Sequence, residues 1–148
     1  MLESVDLTSD VQRRLLAMAG PASALRIRHR MFLEIVAGGL PFLPQNPTWR
    51  EVDPPRHHVR LYVLDVVDVV VSKLARMNAN DLADIEAMAD LGRVPHPMLL
   101  ARFRAAVDVF AYDSRAADLP RFVEHLHRVE RDILGVEESE IELPSFNY

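Results

Sequence analysis

Apolar and polar side chains alternate along much of the first 64 residues, with the period of two that is typical of strands. One helix interrupts this pattern: it is predicted to begin at an N-cap cluster around Thr8 and to end at Gly20. The predicted strands occupy residues 3–7, 25–30, 31–36 and 59–64. The segment 38–55 contains five prolines, at 41, 44, 47, 54 and 55, and is predicted to be irregular, held to the core by Phe42 and Trp49.

From residue 65 onwards the apolar residues recur at helical spacing. Four helices are predicted, beginning at Asp65, after Asn78 or Asn80, near Pro97 and at Asp118. In the first of them, Asp68 is expected to stabilise the N-terminus by interaction with the cap and the helix dipole. The sequence therefore predicts a single α+β domain over residues 1–148: a short mixed sheet in residues 1–64, a helical half in 65–135, and an acidic tail in 136–148.

Composition limits the function classes. The 148 residues include no cysteine, which excludes disulfides, thiolate metal sites and cysteine nucleophiles. The net charge of −5 and the absence of a basic stretch beyond Arg26, Arg28 and Arg30 argue against nucleic-acid binding as the main task. No apolar run approaches the roughly 20 residues of a membrane span, and the acidic start is unlike a secretion signal, so a cytoplasmic protein is predicted.

Two carboxylates stand out in the predicted sheet. Asp6 ends the first strand, and Glu34 lies between Leu33 and Ile35 in an apolar strand. Carboxylates at the ends of adjacent strands can hold Mg²⁺, which prefers hard oxygen ligands. The alternative is that Glu34 lies on the solvent face of an edge strand. The histidines form no comparable set, because His125 and His127 are two apart on a helix and point to different faces.

A second group of charged residues lies around the first two predicted helices. Lys73 is the only lysine in the chain, and Arg76 follows it by one turn on the same side of the helix. Asp81 and Asp84 share a face of the next helix, and the intervening turn could fold them back towards the two cations. These four residues are either a phosphate-binding group or a structural ionic latch between the helices.

The segment from Leu64-Asp65 through Ser72-Lys73-Leu74-Ala75-Arg76 to Asn80-Asp81 and Asp84-Ile85 resembles the signature of AbiEii-like nucleotidyltransferases. These proteins are relatives of the polymerase-β superfold found in bacterial toxin–antitoxin and phage-defence pairs. The resemblance covers residues 4 to 92, with Ser4-Val5-Asp6-Leu7 in the place of an Asp-x-Asp-Leu strand and Glu34 in the place of a further acid. It implies Mg²⁺ at Asp6 and Glu34, and a nucleotide phosphate at Lys73 supported by Arg76, Asp81 and Asp84.

The departures from that signature are as informative as the matches. The chain starts too late to contain the family's Gly-Ser turn, the first carboxylate of Asp-x-Asp is Ser4, and Asn80 replaces a lysine. Because phosphoryl transfer depends on metal-held phosphates and positioned charge, these losses should remove nearly all catalysis. We therefore expect a truncated or degenerate nucleotidyltransferase-like protein, its missing strand lying upstream of the present start or supplied by a partner or a second copy, which favours a homodimer. The alternative is a non-enzymatic interaction subunit, antitoxin-like or scaffold-like, without a nucleotide site.

Overall fold

The computed structural model describes residues 8–33, 42–51 and 62–144. The chain divides into two compact units, residues 1–39 and residues 40–148. In the first unit, helix α1 (Ser9–Ala19) begins after Thr8, whose side chain accepts a hydrogen bond from the Val11 amide, and it ends at Gly20. The prediction of this helix from its N-cap cluster and its terminal glycine is confirmed.

The strand predicted over residues 25–30 is wrong, because Ala24–His29 form a short helix, α2. The alternation of Leu25 and Ile27 with arginines does not mark one buried face here, since Ile27 is 84% exposed. The helix ends at Arg30, which adopts the left-handed conformation with φ 54°. Residues 31–33, predicted to continue into a strand, have no regular structure, and the rest of that prediction lies outside the described residues.

The second unit contains a two-stranded antiparallel sheet in its described part. Strand β1 (Trp49–Glu51) pairs with β2 (Tyr62–Leu64), with Trp49 opposite Leu64 and Glu51 opposite Tyr62. β2 is the end of the strand predicted over residues 59–64, whereas β1 lies in the proline-rich segment that was expected to be irregular. The α+β fold class is confirmed.

Four α-helices follow the sheet within residues 65–144, as predicted. They are α3 (Val66–Leu74), α4 (Ala79–Asp90), α5 (His96–Phe110) and α6 (Leu119–Val129). A 3₁₀ turn, Ala116–Asp118, precedes α6, and a π-helical turn, Glu130–Leu134, extends it to Gly135. Gly135 has φ 64°, a conformation that glycine adopts without the steric cost other residues incur, so the helical segment ends there.

Three aromatic rings from the helices surround Phe42. Its ring centroid lies 5.3 Å from that of Phe103, 5.4 Å from that of Phe110 and 5.0 Å from that of Phe122. Phe42 is therefore fixed in the core, as predicted for the proline-rich segment. The same prediction for Trp49 is wrong, because that side chain is 37% exposed in β1.

The start of the acidic tail packs on the helical half. Arg104 of α5 donates a hydrogen bond to the Glu140 carbonyl, and a ring nitrogen of His127 on α6 lies 3.0 Å from the Ser139 carbonyl oxygen. Ile141 and Leu143 contact the apolar core. Up to residue 144, the acidic tail therefore docks on the helical half.

Within the described part of the chain, no helix combines the length and the apolar character needed to cross a membrane.

Candidate functional site

The four charged residues singled out around α3 and α4 form one cluster. Lys73 lies in the last turn of α3, and its Nζ is 3.0 Å from Asp81 Oδ1 and 2.7 Å from Asp84 Oδ2. The Arg76 guanidinium binds Asp81 through two donors, with Nε 2.7 Å from Oδ2 and Nη2 2.8 Å from Oδ1. The sequence-based prediction that the turn folds Asp81 and Asp84 back towards Lys73 and Arg76 is matched by this geometry.

Asp81 is the centre of the cluster because it also begins α4. Its amide donates to the Asn78 side chain at 2.9 Å, and its own carboxylate accepts from the Asn78 amide at 3.3 Å, which together form a capping box. Met77, immediately before Asn78, has φ 48° and reverses the chain between the two helices. The backbone turn and the ion pairs therefore support the same arrangement.

Burial and charge fix the ionisation states in this cluster. The hydrogen bond from Arg76 is the largest influence on Asp81 and, with those from Lys73 and the Asn78 amide, lowers its pKa far below the usual range, although burial opposes this. For Lys73, burial favours the neutral amine, but the hydrogen bonds to Asp84 and Asp81 outweigh it and raise the pKa. Lys73 and Asp81 are therefore both charged at neutral pH.

The cluster is electrically balanced, with two cations and two carboxylates. The Lys73 side chain is 18% exposed, and its ammonium is already engaged by two acids. A phosphate arriving at Lys73 would have to compete with Asp81, which is 1% exposed and would lose a partner. The geometry thus matches the latch interpretation more closely than the phosphate-binding one.

The predicted Mg²⁺ ligands Asp6 and Glu34 lie outside the described residues. Across residues 8–33, 42–51 and 62–144, no group of three or more histidines and carboxylates is placed to hold a metal ion.

A second buried ion pair was missed in the sequence. Asp68 is 1% exposed, and its two carboxylate oxygens lie 2.7 Å from Nε and Nη2 of Arg102 on α5. The Thr48 amide also donates to Asp68 at 2.7 Å, which ties the segment before β1 to α3. Asp68 does lie in the first turn of α3, where a carboxylate is favourable to the helix dipole as expected, but its hydrogen bonds are made with Arg102 and Thr48. The available signal was an acid within the apolar run Val66–Val71, but its partner lies on another helix.

A third buried carboxylate, Glu130, joins α5 to the tail. Its side chain is fully buried; one oxygen lies 2.7 Å from His96 Nε2, and the other accepts from the Ser139 amide at 3.0 Å. Ser139 Oγ lies 3.3 Å from the same His96 nitrogen, so the imidazole does not bridge the serine and the acid through its two nitrogens as a catalytic triad requires. Glu130 continues the helical stripe of Phe122 and Leu126, which is the signal that could have revealed its burial.

Comparison with known proteins supports the nucleotidyltransferase-like part of the resemblance. A family model described as a nucleotidyltransferase of unknown function, DUF6036, matches residues 6–133, which include the charged cluster and both predicted metal ligands. No curated protein and no solved structure matches the chain. Because the match extends over most of the sequence, this chain belongs to the DUF6036 family of nucleotidyltransferases of unknown function.

Proposed function

We propose that this protein is a degenerate member of its family that does not transfer nucleotides, and that Lys73, Arg76, Asp81 and Asp84 act as a structural latch. The observation that carries the proposal is the engagement of the Lys73 ammonium by two carboxylates, one of them buried. Two carboxylates compensate the positive charge of Lys73, which weakens the attraction that this ammonium can offer to a triphosphate. Ser4 and Asn80 also support the loss of transfer activity, because the AbiEii-like signature has an acid and a lysine at these positions.

The proposal predicts that Lys73 supports stability. Lys73→Met keeps much of the aliphatic stem and removes the charge, so the free energy of unfolding should fall by about 1–3 kcal/mol. Arg13→Met is the matched control, because Arg13 pairs with Asp10 on the surface at 79% exposure and such pairs contribute about 0–1 kcal/mol. Chemical denaturation of the three proteins measures both changes. An unchanged stability in Lys73→Met would contradict the latch.

Nucleotidyl transfer is tested directly with the full chain. The protein is incubated with each α-labelled ribonucleoside triphosphate and Mg²⁺ or Mn²⁺, using total RNA, tRNA and the protein itself as acceptors. We expect no transferred label. Transfer that disappears in Asp6→Ala or Glu34→Ala would overturn the proposal and would establish those carboxylates as the metal ligands that the resemblance implies.

Mg²⁺ and nucleotide binding without transfer would refine the proposal. Thermal melting with each triphosphate, with and without Mg²⁺, measures this binding, because a ligand that binds only the native state raises its stability. A shift lost in Asp6→Ala but kept in Lys73→Met would place a relic site at the predicted metal ligands. The absence of any shift would support the alternative, an interaction subunit without a nucleotide site.

The biological setting that we propose is a bacterial toxin–antitoxin or phage-defence pair, on the strength of the AbiEii-like resemblance. Expression of the chain in a bacterial host, alone and together with the product of the neighbouring reading frame, tests it. We expect growth to depend on which of the two proteins is present and a complex to form between them. A second copy is the competing partner, and light scattering of the purified chain distinguishes a homodimer from a monomer.

A further inference from the structure

A cleft of about 640 Å³ opens beside β1, β2 and the start of α3. Its other wall comes from the connection between α4 and α5 and from the first turns of α5. The volume falls within the range of small-molecule sites, about 300–1,000 Å³. The cleft is separate from the Lys73 cluster, none of whose four residues lines it.

Three arginines line this cleft, from three different elements: Arg50 on β1, Arg93 after α4 and Arg102 on α5. Neither Arg50 nor Arg93 has an ion-pair partner among the residues that the structure describes. The positive charge of the cleft is a local feature, since the chain as a whole has a net charge of −5. Two exposed guanidiniums in the cleft of an acidic protein favour a small anion over a long polyanion, whose other charges would meet the negative remainder of the surface.

Arg102 adds a guanidinium with a fixed position. Buried Asp68 holds its Nε and Nη2, and Nη2 also donates to the Asn46 carbonyl. Nη1 makes no hydrogen bond within the described ranges, and Arg102 lines the cleft. A guanidinium held in this way loses little conformational entropy when it binds an oxyanion, to which it can still donate through Nη1.

The other residues that line the cleft favour an organic ligand over an inorganic ion. Leu64, Val66 and Met98 give the cleft an apolar wall. Asp65 also borders it; the carboxylate accepts from the Val67 amide through one oxygen, which leaves the other for a hydroxyl or amino donor. A matching ligand therefore has an anionic end for the arginines and a carbon body carrying a hydrogen-bond donor.

We infer that this cleft binds an organic phosphate, with the phosphoryl group at Arg50 and Arg93 and the body along Leu64 and Met98. The inference is independent of whether the protein transfers nucleotides, since it uses neither the Lys73 cluster nor the predicted metal ligands. Inorganic phosphate and a phosphate ester share the chemistry that the arginines recognise. The apolar wall and Asp65 favour the ester.

Trp49 provides the measurement. It is the only tryptophan in the chain and lies in β1 between Thr48 and Arg50, both of which line the cleft. The full chain is titrated, without divalent metal, with ribose 5-phosphate, pyrophosphate and ribose while Trp49 fluorescence is followed. AMP and adenosine, which absorb ultraviolet light, are titrated by calorimetry. The variant is Arg50→Gln/Arg93→Gln, and its control is Arg121→Gln/Arg128→Gln, which removes two exposed arginines of α6 that do not line the cleft.

The expected result is saturable binding of ribose 5-phosphate and AMP, weaker binding of pyrophosphate, and none of ribose or adenosine. Affinity should fall at least about tenfold in Arg50→Gln/Arg93→Gln and stay unchanged in the control pair. Pyrophosphate binding as tightly as the esters would overturn the assignment to organic phosphates. The absence of phosphate-dependent binding, or equal losses in both double variants, would overturn the site. These titrations contain neither a divalent metal nor a triphosphate, so their outcome and that of the transfer assay are separate.

Discussion

At the scale of single residues, three carboxylates in the described part of the chain are removed from water, and each connects segments of the chain. Asp81 joins α3 to α4, Asp68 joins α3 to α5 and to the segment before β1, and Glu130 joins α5 to the tail. A buried carboxylate is costly unless it is fully hydrogen-bonded. Substitution of the residues that hydrogen-bond these carboxylates should therefore lower the stability of the protein.

Removal of Arg102 should leave Asp68 as an uncompensated buried charge. Arg102→Leu is expected to lower the free energy of unfolding by about 3–5 kcal/mol, whereas Arg128→Leu, which affects an exposed pair, should change it by less than about 1 kcal/mol. Denaturant unfolding measures both. Asp68→Asn/Arg102→Leu should recover part of the loss, because asparagine is neutral and still accepts from the Thr48 amide. A double variant no more stable than Arg102→Leu would contradict this account.

Asp81 should make stability dependent on pH in acid. Its pKa is lowered on folding, so its contribution is complete above the unfolded pKa of about 3.9 and is lost as the pH falls towards the folded value. Asp81→Asn should be destabilised by about 2 kcal/mol at pH 7. The difference between the two proteins should shrink below about pH 4, as measured by urea unfolding from pH 7 to pH 2. A difference independent of pH would show that the charge of Asp81 is not what stabilises the turn.

At the scale of elements, local signals predicted the helices and failed for the longer-range features. Asp65 and Asn78 are N-caps that act within three residues, so the starts of α3 and α4 followed from the sequence. Helix α2 was missed because six residues contain fewer than two turns, too few for the helical period to show against the alternation of Leu25 and Ile27 with arginines. The Lys73 cluster was predictable, since its members lie in two short segments, residues 73–76 and 81–84, on either side of a single turn. The partners of Asp68 and Glu130 lie on other elements, and no local pattern identifies them.

The contact of the tail with α5 should depend on Glu130. Burial alone would raise the Glu130 pKa, but the hydrogen bonds from Ser139 and His96 outweigh it and lower the pKa. Glu130→Gln should therefore cost about 1–3 kcal/mol at pH 7, and should expose the segment after Gly135 to proteases. The loss should become smaller below about pH 4.5, where the wild-type carboxylate begins to protonate in the unfolded state.

The control is Glu137→Gln, an exposed residue of the same segment. Limited proteolysis followed by mass spectrometry locates the cleavages. Equal cleavage of the two variants would mean that the buried carboxylate does not hold the tail.

At the scale of the whole molecule, the aromatic group around Phe42 connects the proline-rich segment to α5 and α6. Phe42→Ala should lower the free energy of unfolding by about 3–5 kcal/mol, because the cavity lies among rings that cannot close it. Trp49→Ala, at a side chain that is 37% exposed, should cost about 1 kcal/mol or less. Thermal melting followed by circular dichroism compares them. Similar losses in both variants would restore the expectation that the two aromatics hold the segment together.

The position of Phe42 also has a consequence for synthesis on the ribosome. Its side chain emerges before any of the three rings that enclose it, and the last of them, Phe122, belongs to α6 near the end of the helical half. Until Phe122 has left the exit tunnel, Phe42 lacks one wall of its native site, so that exposed apolar surface accompanies the nascent chain through most of its elongation. A chaperone that binds short apolar segments would find its target there, and would be displaced when α6 is completed.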